Sequence, residues 1–307
     1  MPVFITGGTG YVGASVVREL RRRTHVVRAL ARSDSAERKL RELGAEPVRG
    51  ELRDLDTLRA QAAGADAVVH CAFDYSAETV ALERAALEAL LSALRPGRAF
   101  VYTSGVWVYG SRGDAVVAED APLRPLEIVA WRPAHEQLVL AQDPQLRTVA
   151  IRPGIVYGDG GGIPGGLVAQ AAKGTLRIAG DGANRWPTVR HDALAELYGA
   201  VVDGRVARGV YNATRGASVP YLEIARAASR AAGGDGRIAH LALEDARAVR
   251  PLRRRAGLRP AGRQRPSGSR AGVGAASSHA ARRAVQHDGR LAVFDSRPWR
   301  ESPNPSQ

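Results

Sequence analysis

The 307 residues are 45% hydrophobic, with 34 Gly, 17 Pro, one Cys and one Met, enough chain for one large α/β domain or two small ones with a full core. No apolar run approaches the roughly 20 residues of a membrane span. The opening Met1-Pro2-Val3-Phe4-Ile5-Thr6-Gly7 enters strand and turn directly, leaving no room for a leader. Cys71 alone forms no internal disulfide, and seven scattered histidines suggest no zinc site. A reduced, cytoplasmic, soluble chain with no membrane partner and no metal is expected.

The formal charge of +13 points at first to nucleic acid. Its location argues otherwise. Residues 249–307 hold 13 Arg against the three acids Asp288, Asp295 and Glu301, so the preceding 248 residues carry only +3. Only Lys39 and Lys173 are lysines, a bias of codon usage rather than of a binding surface. Only Phe294 and Trp299 stand among the tail arginines, fewer aromatic residues than single-strand binding favours, and no nucleic-acid partner is expected.

The first 150 residues alternate strand and helix signals, the pattern of a doubly wound parallel sheet. Val3–Thr6 reads as a buried strand and Val12–Leu20 as a helix with Val12, Val16, Val17 and Leu20 on one face. Strand Val26–Ala31, helix Glu37–Leu43 before Gly44, strand Pro47–Arg49, helix Leu55–Ala62 and strand Ala67–Cys71 follow. A long helix Glu78–Leu94 ends at Pro96-Gly97. Strand Ala99–Ser104, helix Glu127–Ala141 and strand Thr148–Ile151 complete the series. Beyond Arg152 the pattern loosens into a glycine-rich loop, Gly158–Gly166, helices Leu167–Lys173, Ala193–Val202 and Leu222–Ala232, and a short strand Val210–Asn212. The expected organisation is a Rossmann-type α/β domain over residues 1–155 and a small substrate lobe over 156–248, mixed with the Rossmann core. A tail over 249–307 is rich in Arg, Gly and Pro.

That tail has two readings. One is a disordered basic segment. The other is a reading-frame error: with third codon positions left free, Gly257–His279 admits in the shifted frame a peptide with a hydrophobic pattern and a Leu-Gly-Trp-Glu-Pro.

Thr6-Gly7-Gly8-Thr9-Gly10-Tyr11-Val12-Gly13 lies between the first strand and the first helix. Gly7 permits the tight turn, Gly10 lets backbone approach a pyrophosphate, and Gly13 lets the helix pack on the sheet. At the end of the second strand stand Arg32 and Ser33. A carboxylate there would bind the ribose of NAD, whereas an arginine accommodates the 2′-phosphate of NADP. NADP is the expected cofactor, with NAD the alternative.

These stretches, together with Gly50-Glu51-Leu52-Arg53-Asp54, Val68-Val69-His70-Cys71-Ala72, Tyr102-Thr103-Ser104, Val108-Tyr109-Gly110 and Arg152-Pro153-Gly154-Ile155-Val156-Tyr157-Gly158, resemble the extended or atypical short-chain dehydrogenases/reductases of the NAD(P)-dependent epimerase/dehydratase superfamily. The resemblance covers about residues 3–248. It implies that Glu51 and Leu52 lie near the adenine, that His70, Cys71 and Ala72 pass the nicotinamide ribose, and that Tyr157 lines the cleft. It also implies a possible homodimer through the Glu78–Leu94 and Glu127–Ala141 helices. The Leu-Gly-Trp-Glu-Pro of the shifted frame resembles the family's usual ending.

The family's catalytic Tyr-x-x-x-Lys pair is missing: none of the eight tyrosines has Lys four residues on. Aligned through Glu136, Ile128 and Arg132 occupy those places; aligned through a ring, Trp131 and His135 do. Arg132 can anchor a ribose or phosphate, and His135 can shuttle protons. The family's Ser/Thr position falls on Gly105, leaving Ser104 as the best polar candidate and Tyr109 as an alternative phenol. In the second lobe, Asp181, Asn184, Arg185, Arg190, His191 and Asp192 cluster, and Arg185 and Arg190 suit a phosphate or carboxylate of the substrate. The expected function is an NAD(P)-dependent oxidoreductase or epimerase/dehydratase-like enzyme on a small carbonyl or nucleotide-sugar-type substrate. The alternatives are a non-catalytic NADP(H)-binding sensor and a non-functional frameshifted product.

Overall fold

The computed structural model describes residues 1–241 apart from 75, 77, 114, 216 and 217. All of these fall within one compact unit, Met1–Arg259. The arginine-rich tail, with both of its readings, lies outside the described residues.

Seven parallel strands form the central sheet. In chain order they are β1 (Pro2–Thr6), β2 (Val26–Ala31), β3 (Glu46–Arg49), β4 (Ala67–His70), β5 (Ala99–Thr103), β6 (Arg147–Pro153) and, later in the chain, β11 (Gly209–Ala213). Their spatial order is β11-β6-β5-β4-β1-β2-β3, so the direction of winding reverses between β1 and β4. Ligands of such sheets bind at that switch point, outside the carboxyl ends of the strands. Here those ends are Thr6 and His70, which are register partners.

Alternation along the strands builds two cores. Val3, Ile5, Val69, Val101, Val149 and Ile151 face one side, under α1 (Tyr11–Arg22), α2 (Asp34–Glu42) and α7 (His191–Val202). Phe4, Val68, Phe100 and Tyr102 face the other, under α3 (Leu55–Ala63), α4 (Thr79–Ala93) and α5 (Arg132–Leu140). Leu20 and Leu90 are fully buried, and truncating either to alanine costs about 2–5 kcal/mol.

A third, smaller core joins α6 (Gly162–Ala171) and α8 (Tyr221–Ala231) through Leu167, Leu176, Ile178, Ala225 and Ala228. Around it lie short strands that the sequence does not announce: β7 (Ile155–Tyr157), β8 (Leu176–Ala179), β9 (Arg185–Trp186), β10 (Thr188–Arg190), β12 (Val219–Pro220) and β13 (Ile238–Leu241). They pair as β7 with β10, β8 with β13 and β9 with β12.

Several boundaries differ from expectation for local reasons. The helix expected from Glu37 starts at Asp34, because Ser33 caps it by accepting from the Ala36 amide at 3.2 Å. The helix expected over Glu127–Ala141 is a short 3₁₀ turn, Glu127–Val129, followed by α5 from Arg132. Pro133 explains the break, since proline is tolerated in the first turn of a helix and not in its interior. The helix expected over Leu167–Lys173 begins five residues earlier, at Gly162. No helix among the described residues is long and apolar enough to cross a membrane.

Candidate functional site

The glycine turn after β1 is held by close backbone approach. Gly7 has φ +74°, and a Cβ there would stand 2.5 Å from the Ala72 amide nitrogen. A Cβ on Gly13 would stand 2.1 Å from the Gly7 carbonyl oxygen. The Gly10 amide donates to that same oxygen at 2.9 Å. No side chain caps α1 at Gly10, so the first-turn amides and the positive end of the helix dipole face the switch point. This geometry fits a dinucleotide pyrophosphate, which needs bare backbone and helix N–H groups.

Tyr11 ties this cradle to the loop after β7. Its hydroxyl donates to the Gly158 carbonyl at 2.5 Å, and its ring fills the space that side chains at Gly161 and Gly162 would need. Burial, then Asp159 and Asp192, pushes the phenol up to about 12. Val12 packs against the first core.

Arg32 is exposed at the end of β2. Beside it, Ser33 is the helix cap already described. Asp34, the first acid beyond, is paired with Arg49 at 2.5 Å. Glu51 is exposed and pairs with Arg53 at 3.2 Å, while Leu52 packs on the second core.

At the end of β4, Thr6 Oγ1 and His70 Nδ1 are 2.9 Å apart. His70 is 1% exposed, and burial lowers its imidazole to about 4. The Cys71 thiol accepts from Thr103 Oγ1 at 3.3 Å and is pushed up to about 11 by burial. Cys71 is therefore a neutral thiol at the strand ends. Thr103 Oγ1 also lies 2.6 Å from the Tyr198 hydroxyl.

The four catalytic candidates occupy three separate settings. Ser104 donates to Glu136 Oε1. Glu136 forms a buried pair with Arg152, with Nη2 to Oε2 at 2.5 Å and Nε to Oε1 at 3.0 Å. Tyr109 joins the same network, accepting from Arg152 Nη1 at 2.5 Å and donating to Asn212 Oδ1 at 2.8 Å. Burial raises the Tyr109 phenol, and Arg152 opposes that rise. His135 lies elsewhere, 2% exposed on the inner face of α5, with Nδ1 3.9 Å from Glu83 Oε1. Arg132 is half-buried at the start of α5. Its Nη1 donates to the Thr103 carbonyl at 2.9 Å, and its guanidinium lies 4.5 Å from the Trp131 ring centroid and 5.5 Å from that of Phe73.

Among the substrate candidates, Tyr157 and Arg190 are register partners on β7 and β10, and Arg190 pairs with Asp192. Arg185, on β9, donates to the Ser218 carbonyl at 2.5 Å.

Sequence reasoning missed Thr103, Glu83 and Asn212. Thr103 was hidden by alternation, because it turns towards Cys71 while its neighbour Ser104 turns towards α5. Glu83 did carry a signal: the inward stripe of α4 runs Glu83, Ala86, Leu87, Leu90, Leu91, and an acid in that stripe breaks the apolar periodicity.

Comparison with known proteins identifies the family. The family model described as the NAD dependent epimerase/dehydratase family matches residues 3–213. The chain is 31% identical over 250 residues to a 2-alkyl-3-oxoalkanoate reductase of Stenotrophomonas maltophilia, covering 73% of each chain. It is 38% identical over 172 residues to a 4-hydroxy-2-methyl-3-oxo-4-farnesyl-3,4-dihydroquinoline-1-oxide ketoreductase of Stigmatella aurantiaca, covering 52% of this chain and 51% of that one. In fold it is similar to a dTDP-glucose 4,6-dehydratase of Streptomyces venezuelae with NAD bound, with a TM-score of 0.68 and 24% identity over 79% of this chain and 84% of that one. By its match to the family model and to its relatives, this chain belongs to the NAD dependent epimerase/dehydratase family.

Proposed function

We propose that this chain is a cytoplasmic NADPH-dependent reductase of a small ketone. The observation that carries the reading is the cradle at the switch point, where Gly7 and Gly13 leave no room for a Cβ beside Ala72 and the glycine turn. The names of the two reductase relatives support the direction and the substrate class. Arg32 supports NADPH over NADH: it is exposed where a ribose-binding carboxylate would stand, and the nearest acid, Asp34, is held by Arg49.

When bound, the nicotinamide supplies a hydride for the carbonyl carbon. The cradle amides and the N-terminus of α1 would hold the pyrophosphate, and Cys71, Ala72 and Thr103 would border the nicotinamide ribose. Arg132 stands where the family's lysine would be. An arginine stays charged and does not serve as the proton donor, so its part is to stabilise the negative charge that develops on the carbonyl oxygen. The proton for that oxygen then comes from water entering beside Arg132. Ser104 and Tyr109 hold the Glu136–Arg152 network behind the strand ends, and Tyr157 and Arg190 border the substrate.

A second reading is a non-catalytic NADP(H)-binding protein. The engagement of Ser104 by Glu136 and of Tyr109 by Asn212 favours it, because neither hydroxyl is left facing a substrate. Steady-state oxidation of NADPH with a panel of small ketones separates the two. Turnover that falls about a hundredfold in Arg132→Ala, the loss of one charge-stabilising donor, supports the reductase. Tight NADPH binding with no turnover on any ketone overturns it in favour of the second reading.

A further inference from the structure

Among the described residues, four buried side-chain polar atoms lack a hydrogen-bond partner: Gln61 Oε1, His70 Nε2, Glu83 Oε2 and His135 Nδ1. Three of the four meet in one place, between β4, β5, α4 and α5. Glu83 is central there and only 3% exposed. One of its oxygens accepts from the Tyr102 hydroxyl at 2.7 Å and lies 3.9 Å from His135 Nδ1. His70 lies close by, its ring stacked on Tyr102 with 6.1 Å between centroids.

An acid in this setting is costly. It shares the buried stripe of α4 with Ala86, Leu87, Leu90 and Leu91, which belong to the second core, and an unpaired buried carboxylate would be driven to its neutral form. The opposite holds for Glu83. Burial pushes its carboxyl up, but His135, His70, Arg132 and Tyr102 together outweigh burial and leave it below the usual carboxylate range. Glu83 is therefore an ionised acid inside an apolar core. Among the described residues, the permanently charged cation that acts on it is Arg132.

A continuous set of contacts joins the two. His135, facing Glu83, packs its ring 5.0 Å from that of Trp131. Trp131 lies 4.5 Å beneath the Arg132 guanidinium, which is pinned to the Thr103 carbonyl. A rigid aromatic floor with a buried negative charge behind it holds a cation in one orientation, since little water is present to screen the attraction.

We propose that Glu83 is a positioning residue that, through His135 and Trp131, fixes the Arg132 guanidinium at the reacting carbonyl. This rests on the reading of Arg132 under Proposed function. A merely structural Glu83 would only fasten α4 to β5 through Tyr102.

The test compares wild type, Glu83→Gln and Tyr102→Phe in the full chain. The first readout needs neither cofactor nor substrate: exchange of the Arg132 Nε–H proton with water, followed by NMR, with the signal identified by its loss in Arg132→Lys. About tenfold faster exchange in Glu83→Gln, with Tyr102→Phe near wild type, supports the proposal, the size being that of one lost charge-assisted contact. Equal exchange in wild type and Glu83→Gln overturns it, as does an equal acceleration in both variants, which marks simple loosening of α4. The second readout is turnover: Glu83→Gln lowers kcat about tenfold and leaves the KM for NADPH within about twofold, the pattern of a contact that acts only in the transition state. If Glu83→Gln does not fold, His135→Asn cuts the same set of contacts one step later and must also accelerate exchange; unchanged exchange there overturns the proposal. Wild type that holds Arg132 rigidly but turns over no ketone defeats the reductase reading and leaves the positioning of Arg132 standing.

Discussion

The two ends of the site are built by different means. The cradle after β1 is made of backbone: Gly7 against Ala72, Gly13 against the Gly7 carbonyl, and an uncapped helix start at Gly10. The opposite end, where β5 meets α5, is made of side chains, with Ser104, Tyr109, Glu136 and Arg152 in one buried network and Glu83, Tyr102, His70 and His135 in another. The difference teaches what each end tolerates. A backbone site needs particular glycines and little else, so it survives divergence of the surrounding sequence. A side-chain site keeps its shape only while each charge keeps its partner, as Glu136 does with Arg152.

Breaking the side-chain end has the largest expected effect. Arg152→Met strips Glu136 of its buried partner, and leaving a buried charge unpaired costs about 3–5 kcal/mol. Urea unfolding at neutral pH measures it, and a loss under about 1 kcal/mol would mean the pair behaves like a surface bridge.

Acid probes the same end through His70. Its folded value, lowered by burial to about 4, lies below the roughly 6.5 of an unfolded histidine. The unfolded chain therefore binds the extra proton first. Stability is complete above about pH 6.5 and is lost as the pH falls towards 4, by about 3 kcal/mol from this group. His70→Gln removes that part of the slope, and an unchanged slope between pH 7 and pH 4.5 in the variant would show that His70 does not supply it.

The backbone end is broken by Gly13→Ala, whose methyl would stand 2.1 Å from the Gly7 carbonyl oxygen. Affinity for NADPH is expected to fall at least about a hundredfold, roughly 2.7 kcal/mol, as read by nicotinamide fluorescence. Arg32→Ala sharpens the comparison with a smaller effect: NADPH binding weakens about tenfold, the worth of one charge-assisted contact, while NADH binding is unchanged. Equal losses for both cofactors would assign Arg32 to the fold rather than to the 2′-phosphate.

How far the chain could be read in advance follows the same division. β1 to β6, the helices between them and the glycine turn were legible because buried parallel strands are continuous apolar runs and the turn is written in glycines. The interrupted start of α5 was written in Pro133 as well, a signal that the surrounding periodicity masked. β7, β9, β10 and β12 are two or three residues long, too short to show a period, and their partners lie about thirty residues away. At the site, Arg132 and His135 were visible as residue types in a marked stretch. Their separation into a strand-end setting and a buried one was not, because neighbours three apart on α5 differ in what packs on them: Thr103 of β5 holds Arg132, while Glu83 of α4 faces His135.

The most direct test of the central claim is a fluorescence titration of the full chain with NADPH and then with NADH. The expected result is NADPH binding near micromolar, about 8 kcal/mol, and tighter than NADH. Binding of neither, or a clear preference for NADH, would contradict it: the first would remove the cradle from the account, and the second would remove Arg32.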